Sequence, residues 1–263
     1  MIHRLTLIAL SSLTLLAQGV SAQVPAPHMA GYLGPDRVPD MVKLLAGAPE
    51  DDSPTRLADR AIFRSTRALK GSPRWLMARN DADASIEAMM KDFSCAVGAN
   101  LAPSNSPRLQ AVLAKVGLDL RAAVDPPKAF YDRKRPFQVD EGDVCIDDIK
   151  ALAGSPDYPS GHATWGWMVG SILAQLDPDR ATGILVRAKA YGESRVVCGV
   201  HNNSAVIAGR LDAAALFAVL QSDANFRADT VAARAELTPL VAAGGLDVER
   251  CESEASVTAK TPW

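Results

Sequence analysis

From Ala163 to Leu176 the chain runs almost without a polar residue, and Ser160-Gly161-His162 stands directly before that run. Serine is a favoured helix N-cap, so the run is predicted to be a helix whose first residues are Gly161 and His162. A helix that is apolar all round must be buried. It falls short of the ~20 apolar residues a bilayer requires, so it reads as a core helix on which the rest of the chain closes. The remaining sequence is rich in helix starts. Ser53-Pro54, Ser106-Pro107 and Asp177-Pro178 each read as an N-cap followed by proline at the first helical position. Behind Ser106, the set Leu109, Val112, Leu113, Val116 and Leu120 recurs at helical spacing, and no strand pattern persists. Helices are predicted over 38–47, 54–70, 81–98, 107–123, 126–135, 145–153, 161–176, 178–197, 203–221 and 227–243. The expected fold is all-α, a compact single-domain helical bundle.

Three segments divide the chain. Arg4, the apolar stretch Leu5 to Ala17 and the small-residue site Val20-Ser21-Ala22 read as a secretory signal over residues 1–22. A Pro-rich arm over 23–39 and a helical domain over 40–263 follow. The signal predicts a periplasmic or secreted protein, and no later stretch reads as a membrane span. Formal net charge is −2, or −3 once Arg4 leaves with the leader, so the chain lacks the global basic field that nucleic acid attracts. Cys95, Cys145, Cys198 and Cys251 make an even count in an exported chain, which favours two disulfides out of three connectivities over buried free thiols. The pairing expected is Cys95 with Cys145 and Cys198 with Cys251. No Cys-x2-Cys spacing suggests zinc.

Within this frame, three short blocks carry chemistry. The first is Lys128 and Arg135-Pro136, two cations seven apart that would share a helix face before Pro136 ends it. Arg133 and Lys134 beside them read as a solvated charge run. The second is Pro159-Ser160-Gly161-His162, where a helix N-terminus offers N–H groups to an oxyanion, Gly161 lets it approach, and His162 sits on the rim as a proton donor. The third is Ser194-Arg195 with His201 six residues on, and Gly199 predicts a chain break that lets Arg195 and His201 face one site. Fixed cations, backbone donors and two imidazoles are what breaking a phosphate ester without a metal would need. Two tryptophans, Trp165 and Trp167, cannot share a helix face, so core packing is expected for at least one.

The three blocks, in order and spacing, resemble the signature of the bacterial class A non-specific acid phosphatases, in the type 2 phosphatidic acid phosphatase and vanadium haloperoxidase superfamily. Gly192 to His201 and Asp157 to Ala163 are especially similar to the secreted acid phosphatases, as are Tyr32-Leu33, Arg74-Trp75, Ala78, Asp81-Ala82 and Phe93-Ser94-Cys95. The resemblance implies an acid phosphatase acting on small phosphomonoesters without metal or other cofactor, inhibited by inorganic phosphate or vanadate. It implies phosphate binding by Lys128, Arg135, Ser160, Gly161 and Arg195, nucleophilic attack by His201 to give a phosphohistidine, and proton donation by His162. One position departs from the pattern: the aspartate that orients the nucleophilic imidazole is replaced by Ala205. Asn203 and Ser204 are the nearby polar candidates to replace it, and Asp212 lies too far along the helix, at about 16 Å. The departure keeps a non-catalytic phosphate or phosphoester binder in view. A vanadate-dependent haloperoxidase is the other alternative, because that branch holds vanadate in the same cradle. The sequence leaves the oligomeric state open, a homo-oligomer included.

Overall fold

Most of the helices begin where a capping side chain satisfies one of their first N–H groups. The computed structural model describes residues 30–263, so the predicted signal over 1–22 and the first part of the Pro-rich arm lie outside the described residues. Among the described residues all regular structure is helical: α1 (Met41–Leu44), α2 (Pro54–Thr66), α3 (Pro73–Asn80), α4 (Ile86–Val97), α5 (Pro107–Tyr131), α6 (Ile149–Ala153), α7 (Gly161–Leu176), α8 (Ala181–Val197), α9 (Asn203–Leu220), α10 (Ala224–Ala243) and α11 (Val248–Thr258). Ser53 Oγ accepts the N–H of Arg56, as predicted. Ser106 makes no side-chain cap; the carboxylate of Glu236, from α10, takes the Arg108 and Leu109 N–H groups instead.

Four predicted elements differ for local reasons. Two expected helices, 107–123 and 126–135, are the single α5, which runs through Pro126 and Pro127 and stops at Asp132, in the left-handed region at φ 39°. Proline's fixed φ is itself helical, so a proline pair removes N–H donors without forcing an end. Arg135 therefore lies beyond the helix and does not share a helical face with Lys128. The helix expected over 81–98 starts only at Ile86, where Ser85 caps it, because residues 81–84 form a turn. Helices α3 and α11 were not expected; Ser72 and Asp247 cap them. The helix expected from 178 begins as a single 3-10 turn, Pro178–Arg180, before α8.

Helix α7 occupies the centre, packed against α8 and α9 and touched by α4, α5 and α10. Met168, Val169, Ile172 and Leu173 of α7 are buried with Phe93, Leu113, Val116, Leu216 and Phe226. The approach of α8 is close because of glycine: a Cβ on Gly170 would lie 2.4 Å from Ala188 Cβ, and one on Gly166 2.4 Å from Tyr191 Cδ1. By length and composition α9 would reach across a membrane, which corrects the expectation that no later stretch would. It lies here within the bundle, with Ala205, Ala208, Asp212, Ala213 and Leu216 buried.

The disulfides are Cys95–Cys251 and Cys145–Cys198, not the expected consecutive pairs. Cys145 N–H donates to the carbonyl of Cys198 at the end of α8, so those two segments already lie side by side. The other bridge fastens α11 to α4.

Candidate active site

The predicted break after α8 is present. Cys198 caps the helix and Gly199 takes φ 80°, a conformation glycine adopts without strain. The chain then doubles back, with Val200 and His201 N–H groups on the carbonyl of Arg195. Arg195 and His201 thereby face the same space, both only 2% exposed. The third wall is α7, whose N-cap Ser160 is fully buried and accepts the N–H of Ala163 at 3.3 Å. The N–H groups of Gly161 and His162 have no partner among the described residues, as expected of a helix start. A Cβ on Gly161 would meet nothing closer than Val124 at 3.5 Å, so the fold itself does not demand glycine there.

Lys128 enters from the last turn of α5, with Nζ donating to the carbonyl of Pro156. Arg135, in the extended linker beyond it, is 2% exposed and donates from Nε to Ser155 O at 2.6 Å and from Nη1 to Val200 O at 2.8 Å. Nη1 also stands 2.9 Å from His201 Nε2. A guanidinium can only donate, so Nε2 accepts and carries the lone pair. On the other side of the ring, Nδ1 lies 2.9 Å from Asp157 Oδ1. His201 is thus a neutral imidazole with one defined tautomer. Burial and the charges of Arg135, Lys128 and Arg195 hold its pKa well below the ordinary value.

His162 is half-buried, and its Nε2 donates to the carbonyl of Ala82 at 3.1 Å, which leaves Nδ1 as the free nitrogen. The turn that presents Ala82 is anchored by Asp81, whose carboxylate is bonded by Arg187 at 2.6 Å and by Ser194 Oγ at 2.5 Å. Burial first, then the charge of Arg195, lowers the His162 pKa to about 3. Burial brings Lys128 down to about 8 and Arg135 and Arg195 to about 10. Arg195 Nε and Nη1 are buried with no partner among the described residues. An unpaired buried guanidinium is expensive, and three cations converging on one space leave positive charge there that a dianion would neutralise.

All seven sequence-predicted residues, Lys128, Arg135, Ser160, Gly161, His162, Arg195 and His201, therefore meet at one place. Sequence reasoning missed Asp157 and misread Arg133. Arg133 is buried, not solvated, and bonds Asp59 and Ser204. The signal for Asp157 was its place just ahead of the second block, two residues before Pro159, in a chain short of a carboxylate at 205. Beside Lys128, Gly161 and His162 opens a cleft of about 380 Å³, walled by Ile86, Leu113, Val124 and Trp165, with Arg121 and Asp125 in its lining. Trp165 is largely buried and donates from Nε1 to Ala84 O. Trp167 lies against Arg210 instead. Among the described residues, no three His, Cys, Asp or Glu side chains converge as metal ligands.

The chain is similar in sequence to a known family and to several known proteins. The family description "PAP2 superfamily" matches residues 111–228, a span that contains all three blocks. An acid phosphatase of Zymomonas mobilis subsp. mobilis is 42% identical over 202 residues, 75% of each chain. A non-specific acid phosphatase of Salmonella typhimurium is 33% identical over 228 residues, 85% of this chain and 88% of the relative. One from Providencia stuartii is 31% identical over 211 residues, covering 80% and 85%.

Proposed function

Because the chain belongs to the acid phosphatases of the PAP2 superfamily, we propose that it hydrolyses small phosphomonoesters without a metal, by way of a phosphohistidine on His201. The observation that carries this reading is the neutral imidazole of His201, its Nδ1 held by Asp157 and its Nε2 lone pair turned to Arg135, with Lys128 and Arg195 close by. Lys128, Arg135 and Arg195, with the N–H groups at the start of α7, supply the charge that a metal would otherwise bring to a phosphoryl group. Arg135 Nη1 lies on that lone pair, so a phosphate that draws the guanidinium onto its own oxygens also exposes the nucleophile.

Nε2 of His201 then attacks phosphorus while the P–O ester bond breaks. The leaving oxygen takes a proton from Nδ1 of His162. Three cations depress that proton's pKa in the free enzyme, and a bound dianion offsets them, so His162 becomes an acid when substrate is present. Water next attacks phosphorus and gives a proton to Nδ1 of His162, and the N–P bond breaks to release phosphate and neutral His201. Microscopic reversibility assigns His162 both roles. The cleft beside His162 suits the organic part of the ester, and its apolar wall favours aromatic or apolar leaving groups. Two disulfides support an oxidising compartment, periplasmic or extracellular.

Rapid quench after mixing with labelled aryl phosphate is expected to trap an acid-labile, alkali-stable phosphoenzyme that His201→Ala cannot form. Activity should survive EDTA. Loss of activity in EDTA with recovery on adding a divalent metal would refute the metal-free route.

A further inference from the structure

We propose that Asp157 is the positioning residue for His201, supplying from the loop before α7 the carboxylate that the family pattern places at position 205. The inference rests on the phosphohistidine reading above.

The carboxylate has no exposure and every near neighbour holds it to one task. Oδ1 accepts from His201 Nδ1 at 2.9 Å and from the Asn202 N–H at 3.1 Å. Oδ2 accepts from Asn202 Nδ2 at 2.8 Å and lies 3.5 Å from Arg133 Nη1. Asn202 is the N-cap residue of α9, yet its side chain makes no cap and is turned to Asp157. Behind this layer stands a second one. Arg133 Nη2 pairs with Asp59 Oδ2 at 2.7 Å and Nη1 donates to Ser204 Oγ at 2.7 Å. Ser204 in turn donates from its N–H and Oγ to Asp59, at 2.8 and 2.5 Å. The result is a buried line of alternating charge, Asp59, Arg133, Asp157, that ends on the imidazole and draws on α2, the linker after α5 and the start of α9. Ala205 is fully buried and its carbonyl accepts the Ser160 N–H, so position 205 contributes backbone to the site and no side chain.

The chemistry follows from which ring nitrogen carries hydrogen. Asp157 can only accept when ionised, so it fixes hydrogen on Nδ1 and leaves Nε2 to attack. Once Nε2 is phosphorylated the ring is cationic, and the charge-assisted bond to Asp157 strengthens at that moment. An amide at 157 would keep the shape and remove that gain. Because Asp157 also donates its own N–H to Arg133 O at 2.8 Å, it has a structural part as well, and the test has to separate the two.

Four proteins suffice: wild type, Asp157→Asn, Ala205→Asp and the double variant. Single-turnover phosphorylation by p-nitrophenyl phosphate should fall about 10²- to 10⁴-fold in Asp157→Asn, the upper end being about the loss when a catalytic histidine's carboxylate becomes an amide. Inhibition by inorganic phosphate should change by less than about threefold, since the cations that hold it are untouched. Ala205→Asp alone should give no gain, and the double variant should recover at least about tenfold over Asp157→Asn. Proton NMR gives an activity-independent readout: the far-downfield Nδ1–H resonance of His201, assigned by its loss in His201→Ala, should vanish in Asp157→Asn. Ser204→Ala, which cuts only the outer layer, serves should Asp157→Asn fail to fold, and should shift that resonance and slow phosphorylation severalfold. An Asp157→Asn enzyme within threefold of wild type, an unchanged resonance, or a double variant with no recovery would overturn the proposal. A wild type that turns over no phosphomonoester yet keeps the resonance would instead strike at the proposed function.

Discussion

Asp212 lies on the buried side of α9 with no exposure, and neither carboxylate oxygen has a hydrogen-bond partner. Burial alone pushes its carboxyl from 3.8 up to about 7. Below the pKa of the unfolded chain the group is protonated in both states and contributes nothing that depends on pH. Above it, the unfolded chain ionises while the folded one must hold the proton or strand a charge, so stability falls as pH rises from about 4 to about 7. At ~1.4 kcal/mol per pH unit the full loss is about 4 kcal/mol, reached near neutrality, and about half of it is present at pH 5.5. Asp212→Asn keeps the shape and the uncharged polar burial and removes the ionisation. The variant should match wild type near pH 4 and exceed it by about 4 kcal/mol at pH 8, or roughly 8–16 °C in melting temperature for a chain of this size. Urea unfolding with disulfides intact, repeated at each half pH unit, reads the difference directly. Two stability curves that stay parallel from pH 4 to pH 8 would mean that Asp212 ionises in the fold without penalty, and would refute the argument.

Three further outcomes follow from the site. Sulfate, which stays dianionic across the working range, should bind with net uptake of a proton by His162, measurable by calorimetry in buffers of different ionisation enthalpy; its affinity should fall as pH rises, and binding without proton uptake would contradict the role of Arg195, Arg135 and Lys128 in depressing His162. Arg195→Met should raise the melting temperature of the phosphate-free protein, by removing an unpaired buried charge, while weakening vanadate inhibition at least about tenfold. A Cβ at Gly117 would meet only Trp165, at 4.0 Å, so Gly117→Leu should fill the cleft and raise KM for p-nitrophenyl phosphate about tenfold, with inhibition by inorganic phosphate unchanged.

Most helices and several of the converging residues were legible because they rest on local rules, whereas the shared helix face expected for Lys128 and Arg135 does not exist, since α5 ends at Tyr131. Ser160 caps α7 through its own side chain, and Gly199 bends the chain through its own φ. Helix α3 was open to the same rule, since Ser72-Pro73 repeats the N-cap and proline pattern of Ser53-Pro54, and it went unread. Arg133 and Asp157 were harder. A charged residue within a charge run looks solvated, and only the fold brings Asp59, 74 positions away, against Arg133. Asp157 and His201 are 44 apart in sequence, so no helical or turn periodicity links them. The two disulfides follow from how α4 meets α11 and how the segment before α6 meets the end of α8, and spacing between cysteines carries no information about that.

Their connectivity is nested: the Cys145–Cys198 bridge lies inside the span closed by Cys95 and Cys251. A chain entering an oxidising compartment from its N-terminus presents Cys95 and Cys145 first, with Cys251 still 106 residues behind Cys145. An oxidant that joins cysteines in order of arrival makes Cys95–Cys145, which has to be undone by thiolate exchange before either native bridge can form. Production of this protein should therefore depend on disulfide isomerisation as well as oxidation, and a host that oxidises strongly but reshuffles slowly should accumulate full-length chains crosslinked in the wrong order.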